Sequence, residues 1–74
     1  MTELVREAVR DGRRVALVRC YDDPNEGGTV VEAEIHPPTG DPVSHGYRFA
    51  TAPEAFRFVQ EALLALQYLG CNVA

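Results

Sequence analysis

The sequence predicts a small α+β domain of two layers, in the order α-β-β-β-α, with helices packed on one face of a three-stranded antiparallel meander sheet. Three observations carry that expectation. A C-terminal helix has a recognisable start and stop, three segments alternate apolar and polar residues, and the connections between them are dense in turn formers. At 74 residues the chain is one domain, spanning 1–74, near the lower limit of what folds without disulfides or metals.

Taken in order, Glu3 to Asp11 reads as a short helix, with Leu4, Val5, Ala8 and Val9 on one side. Thr2 is its candidate cap and Gly12 its stop; so short a helix must pack against something to persist. The first strand, Arg13 to Tyr21, has two partly apolar faces, Val15-Leu17-Arg19-Tyr21 and Ala16-Val18-Cys20. The second, Thr29 to His36, sends Val31, Ala33 and Ile35 one way and Glu32, Glu34 and His36 the other. The third, Val43 to Ala50, places Val43, His45, Tyr47 and Phe49 on one face. Between strands lie Asp22-Asp23-Pro24-Asn25-Glu26-Gly27-Gly28 and Pro37-Pro38-Thr39-Gly40-Asp41-Pro42, both suited to hairpin loops.

The last helix opens at Thr51-Ala52-Pro53-Glu54, a capping box with a first-turn proline that loses no intrahelical bond. It runs through Phe56, Val59, Leu63 and Leu66, with Phe58, Ala62, Ala65 and Leu69 as a second apolar row. Leu64 interrupts the polar side of Glu54, Arg57, Glu61 and Gln67, and Gly70 supplies a left-handed stop. Cys71 to Ala74 is either a short edge strand or a fraying tail.

Composition bounds the function. Net charge is −4, unevenly spread: residues 1–19 carry five arginines, whereas 20–45 carry six carboxylates and no arginine. Such asymmetry suits either partner steering or a solvated face. The basic residues are all arginine, a bias that fits a GC-rich genome and so a bacterial source. No apolar run approaches the roughly 20 residues of a membrane span. The first residues lack the basic and apolar regions of a signal peptide, so a cytoplasmic location without membrane contact is expected. Cys20 and Cys71 stand in no metal or redox motif and read as buried free thiols.

Candidate chemistry is sparse. His36 and His45 flank a loop containing Asp41, a combination that suits transition metals. Strand alternation, however, turns the two imidazoles to opposite faces. Neither cysteine has a histidine beside it, and Ser44 and His45 are successive strand residues that face apart, so no activated nucleophile is assembled. Glu32 and Glu34 share a face as a paired acid/base couple would, but fit better as a solvated strand face paired with Arg14 or Arg48. Gly27-Gly28 opens no phosphate-binding helix.

The α-β-β-β-α order is similar to that of double-stranded-RNA-binding domains, which contact RNA with basic residues near the start of the second helix. Here that region, Thr51 to Arg57, holds one arginine and one glutamate, so the likeness is of topology alone.

The expectation that remains is a non-catalytic, acidic interaction or regulatory module, a homodimer or a piece docking on another protein, with no cofactor and no metal. Surplus apolar surface on so small a domain suits a protein partner. Ala16, Val18 and Val30 on the outer sheet face, or Phe58 and Leu64 on the helix, are the interface candidates. A different class of reading is a small anionic ligand in a pocket between helices and sheet, with Arg19, Tyr21 and Tyr47 at its mouth. In that reading a buried Arg19 needs an anionic partner. A third reading is a nucleic-acid-binding domain, disfavoured by the acidic balance.

Overall fold

In the computed structural model, which describes residues 3–74, the element order is β1 (Leu4–Arg10), β2 (Arg13–Asp22), β3 (Thr29–Ile35), β4 (Val43–Phe49), α1 (Ala52–Tyr68) and β5 (Asn72–Val73). The strands form one antiparallel sheet in the order β4-β3-β2-β1-β5, with α1 packed on one face. The α+β class stands, whereas the three-stranded meander and the pair of helices do not.

The correction begins at Asp11-Gly12. Both residues have positive φ, 53° and 75°, which is the two-residue turn whose twist matches a hairpin. Arg10 and Arg13 pair directly across it. The segment expected as a helix therefore returns as β1 against β2, its β-branched Val5 and Val9 fitting a strand better than a short helix. The proposed cap Thr2 lies outside the described residues. With no helix before the sheet among the described residues, the topological likeness to RNA-binding domains lapses.

A bulge sets the register of this hairpin. Ala8 pairs with Ala16 but Val9 pairs with Arg14, leaving Val15 as the extra residue. A bulge turns two successive side chains toward one face. Val15 thus packs with Ala8, Ala16 and Cys71 although alternation alone would send it outward.

The helix forms as its sequence signals. Thr51 is the N-cap, its hydroxyl accepting from the Glu54 amide, with Pro53 in the first turn. At the other end Gly70 takes φ 97°, the Gly70 amide donates to the Gln67 carbonyl, and the Cys71 amide donates to the Leu66 carbonyl at 3.0 Å. This is a Schellman stop, and its characteristic apolar contact falls between Cys71 and Leu66. The chain leaves the stop into β5, where Val73 pairs with Ala8 and the Ala74 amide donates to Glu7.

The core lies between α1 and the inner sheet face, in two parts. Val18, Cys20, Val31, Ala55 and Val59 form one, and Ala8, Ala16 and Cys71 the other. Most of these side chains are small, which lets the helix approach the sheet closely. Burying a valine such as Val31 or Val59 contributes about 1.5–3 kcal/mol. Phe56, expected to point inward, stands to one side and is 40% exposed; Ala55 takes the central position.

Candidate functional site

The helix crosses the sheet diagonally, and the diagonal decides which apolar surface stays bare. Near its start Phe58 meets Tyr47 and Phe49 of β4, with ring centroids 5.0 and 5.3 Å apart. Near its end Leu66 packs over Ala8, Ala16 and Cys71 at the other side of the sheet. The far corner of β3 and β4 is left uncovered. Ile35 and Val43 pair there directly, 40% and 49% exposed, and Tyr47 on the same face is 43% exposed. Leu69 extends the helix row of Phe58, Ala62 and Ala65 and is also exposed.

The edge of β4 away from β3 has no partner strand among the described residues. Its seven residues keep an unbroken register with β3, the strand contains no proline or carboxylate, and its one arginine, Arg48, is bonded to the β2–β3 loop. Natural sheets usually blunt such an edge with charge, proline, a bulge or a short strand. The opposite edge follows that habit: β5 is two residues long.

The outer face of the sheet is charged and largely self-satisfied. Arg14 pairs with Glu7 across the first hairpin, and His36 Nε2 lies 2.6 Å from Glu34 Oε1. Arg48 clasps the acidic β2–β3 loop, donating to Asp23 Oδ2 at 2.9 Å, to the Gly27 carbonyl at 2.8 Å and to Glu26 at 3.3 Å. Asp23 Oδ1 also accepts from the amides of Asn25 and Glu26. Those amides, the Asn25 one foremost, and the Arg48 guanidinium hold the Asp23 carboxyl below its ordinary value. Gly28 closes the loop at φ +80°, where a Cβ would stand 2.7 Å from the Phe49 carbonyl oxygen. The pairing anticipated for Glu32 and Glu34 with Arg14 or Arg48 is thus replaced by other partners, because the turn brings Asp23 nearer to Arg48.

Several sequence-based placements change. Ala16 and Val18, expected on the outer face, are buried beneath the helix and offer nothing to a partner. Val30 does lie outside, half-buried between its register neighbours Tyr21 and Arg48. Phe58 is half-buried against β4, while Leu64 is 63% exposed on the β1 side of the helix. Arg19 and Tyr21 line one shallow depression on the outer face with Glu3, Asp22 and Glu32, whereas Tyr47 faces the helix side, so the three do not meet in a pocket between helix and sheet. Arg19 is exposed and stands opposite Glu32 on β3, so it needs no ligand to offset burial. Partial desolvation and the Glu32 charge raise the neighbouring Tyr21 phenol above its ordinary value. His36 joins Glu34 on the outer side and His45 lies on the inner face.

Cys20 and Cys71 are free, buried, and in separate halves of the core. Burial, with the Asp22 charge, pushes the Cys20 thiol up, away from the reactive thiolate form. Among the described residues no group of three or more histidines, cysteines and carboxylates is disposed to hold a metal ion. None of their helices is long and apolar enough to cross a membrane.

The sequence does not show that β4 is an edge, because strand order cannot be read from one segment. Its signal was present in the absence of carboxylates from 43–49. No protein-family model matches this chain, and no curated protein or solved structure matches it.

Proposed function

We propose that this chain is a cytoplasmic, non-catalytic interaction module that associates with a second copy of itself along β4. The observation that carries this reading is the unguarded seven-residue edge beside the exposed Ile35, Val43 and Tyr47. Unpaired strand amides and carbonyls at an edge are templates for another strand. Charge favours a second copy at this place over others. The chain carries eleven carboxylates, none of them on β4, so two acidic molecules repel least here.

Antiparallel pairing about Gly46 brings Tyr47 opposite His45 of the other copy and Arg48 opposite Ser44. Both pairings are free of carboxylates, and Arg48 stays bonded to its own Asp23, so the joint brings no like charges together. A stable interface removes about 800 Å² from each partner, roughly a sixth of this chain's 5120 Å² surface. Strand pairing alone is too small for that. The uncovered corner of Ile35, Val43, Tyr47 and Leu69 supplies the apolar remainder.

The test is absolute mass in solution by light scattering over a range of concentrations. A mass near twice 8.1 kDa is expected for the native chain. Val43→Lys, a charge at the mouth of the edge, is expected to return it to the monomer, whereas Leu64→Glu on the other side of the helix leaves the dimer intact. A native chain that stays monomeric at every concentration overturns the reading.

A further inference from the structure

At the opposite side of the molecule a second edge is only half covered. β5 and Ala74 pair with Glu7, Ala8 and Val9 of β1, but Leu4, Val5 and Arg6 have no strand beyond them among the described residues. Beside this bare stretch runs a groove between β1 and α1. One part, about 280 Å³, is lined by Leu4, Arg6, Phe56, Val59, Gln60 and Leu63. It continues past Arg6, Gln60 and Leu63 into a second part of about 380 Å³ that reaches Leu64, Gln67 and Val73. Phe56 and Leu64, the two large apolar side chains left exposed on this flank of the helix, both border it.

Arg6 sets the chemistry of the groove. Most arginines of this acidic chain have a carbonyl or carboxylate partner: Arg10 pairs with Asp11, Arg13 bonds backbone carbonyls, Arg14 pairs with Glu7, Arg48 with Asp23, and Arg57 with Glu61. Arg19, without an ion pair, at least faces Glu32 across the strands. Arg6 makes no ion pair among the described residues, and its neighbours on the same face are Leu4, Ala8 and its register partner Val18. The helix presents glutamines to it, Gln60 and Gln67, in place of carboxylates. The result is a cation set in an apolar, uncharged trough alongside free strand backbone.

We propose that this groove binds an extended, acidic segment of a partner protein, which adds to the sheet as a strand in line with β5. Independent of the self-association along β4, this site uses the other edge of the sheet. Running antiparallel to β1, the segment follows Ala74 and places successive residues opposite Arg6, Val5 and Leu4. Side chains alternate across a strand, so the first and third enter the groove. The recognised pattern is therefore a carboxylate beside Arg6, any residue, then an apolar side chain against Leu4, Phe56 and Leu63. The carboxylate completes a charge-assisted pair with Arg6, the apolar residue fills the trough, and the main chain satisfies the bare edge.

The experiment titrates two synthetic peptides into the ¹⁵N-labelled full chain and follows amide shifts. One is acetyl-Glu-Val-Leu-Thr-Ser; the other has lysine in place of glutamate. The acidic peptide is expected to shift the amides of Leu4 to Arg6 and Gln60 to Leu64 saturably, leaving those of β4 unmoved. Arg6→Gln is expected to weaken its binding by about tenfold, equivalent to about 1.4 kcal/mol, with the spectrum otherwise unchanged. Arg6→Glu is expected to reverse the preference and select the lysine peptide. Failure of the acidic peptide to bind in the millimolar range, shifts confined to other surfaces, or equal affinity for both peptides overturns the proposal. A monomeric native chain overturns the self-association and leaves this result unaffected.

Discussion

The two faces of β2 have opposite logics, although both looked apolar in sequence. Ala16, Val18 and Cys20 face the helix and are buried, whereas the bulkier Leu17 and Tyr21 lie on the outer face with Arg19. Side-chain bulk alone ranks the faces the wrong way round, since the larger residues are the ones that do not meet the helix. The helix selects for volume: with Ala8, Ala16 and Ala55 at the contact, α1 settles close to the sheet, and larger residues there would hold it off. On the outer face Leu17, Tyr21 and Val30 are half-buried among Arg19, Glu32, Glu34 and Arg48, a setting in which long charged side chains cover apolar surface while their heads stay wet. A close-packed face is thus sensitive to shape, and a charge-covered face much less so.

The sharpest way to break this comparison is to place the same substitution on adjacent residues. Ala16→Asp puts an unpaired carboxylate beneath the helix at a cost of about 3–5 kcal/mol, comparable with the whole stability of a chain this size. Leu17→Asp, one residue on, is expected to change stability by only about 1 kcal/mol. Urea unfolding followed by far-UV circular dichroism separates the two; equal effects would mean that the faces are not distinct.

A smaller effect tests the clasp on the outer side. Gly28→Ala forces a side chain into a left-handed backbone position and against the Phe49 carbonyl, and is expected to cost about 1–3 kcal/mol. Gly27→Ala, with open space around it at φ +76°, is expected to cost about 1 kcal/mol, from the backbone alone. A reversed order in the unfolding midpoints would show that the Gly28 contact carries no strain.

The smallest effect is the pH dependence. Asp23 titrates below its ordinary value of 3.8 in the folded chain, so its interactions stabilise the fold above that pH. This contribution is lost as pH falls through the lower, folded value. Arg48→Met removes a part of it, and the variant's unfolding midpoint is expected to fall less between neutral and acid pH than that of the native chain. Parallel curves for the two proteins would mean that Arg48 does not hold the loop.

How far the site was legible follows from the range of each interaction. The three strands and the capped helix after Gly12 were readable to within a residue or so, since alternation, turn formers and caps are signals within a few residues. Leu4 to Arg10 was not, because Leu4, Val5, Ala8 and Val9 also fit a helical stripe. Asp11-Gly12 was the available tie-breaker, a hairpin signal between alternating residues. Of the proposed contact surface, the apolar face of Val43 and Tyr47 was visible in sequence, but its position on a free edge was not. Arg6 was not legible as a site either, because nothing local in the sequence distinguishes it from the other arginines.

By itself the sequence determined the α+β class, the C-terminal helix with its Thr51 start and Gly70 stop, the two loops that follow β2 and β3, and which residues alternate together on β3 and β4. These depend on backbone geometry and hydrogen bonds between near neighbours, where residue type is decisive. Tertiary structure alone decided that the first segment is a strand, that Val15 turns inward at a bulge, which face of β2 meets the helix, and which edges stay open. Those outcomes depend on pairing and packing between segments distant in the chain, where the fit of volumes and the order of strands prevail over local preference.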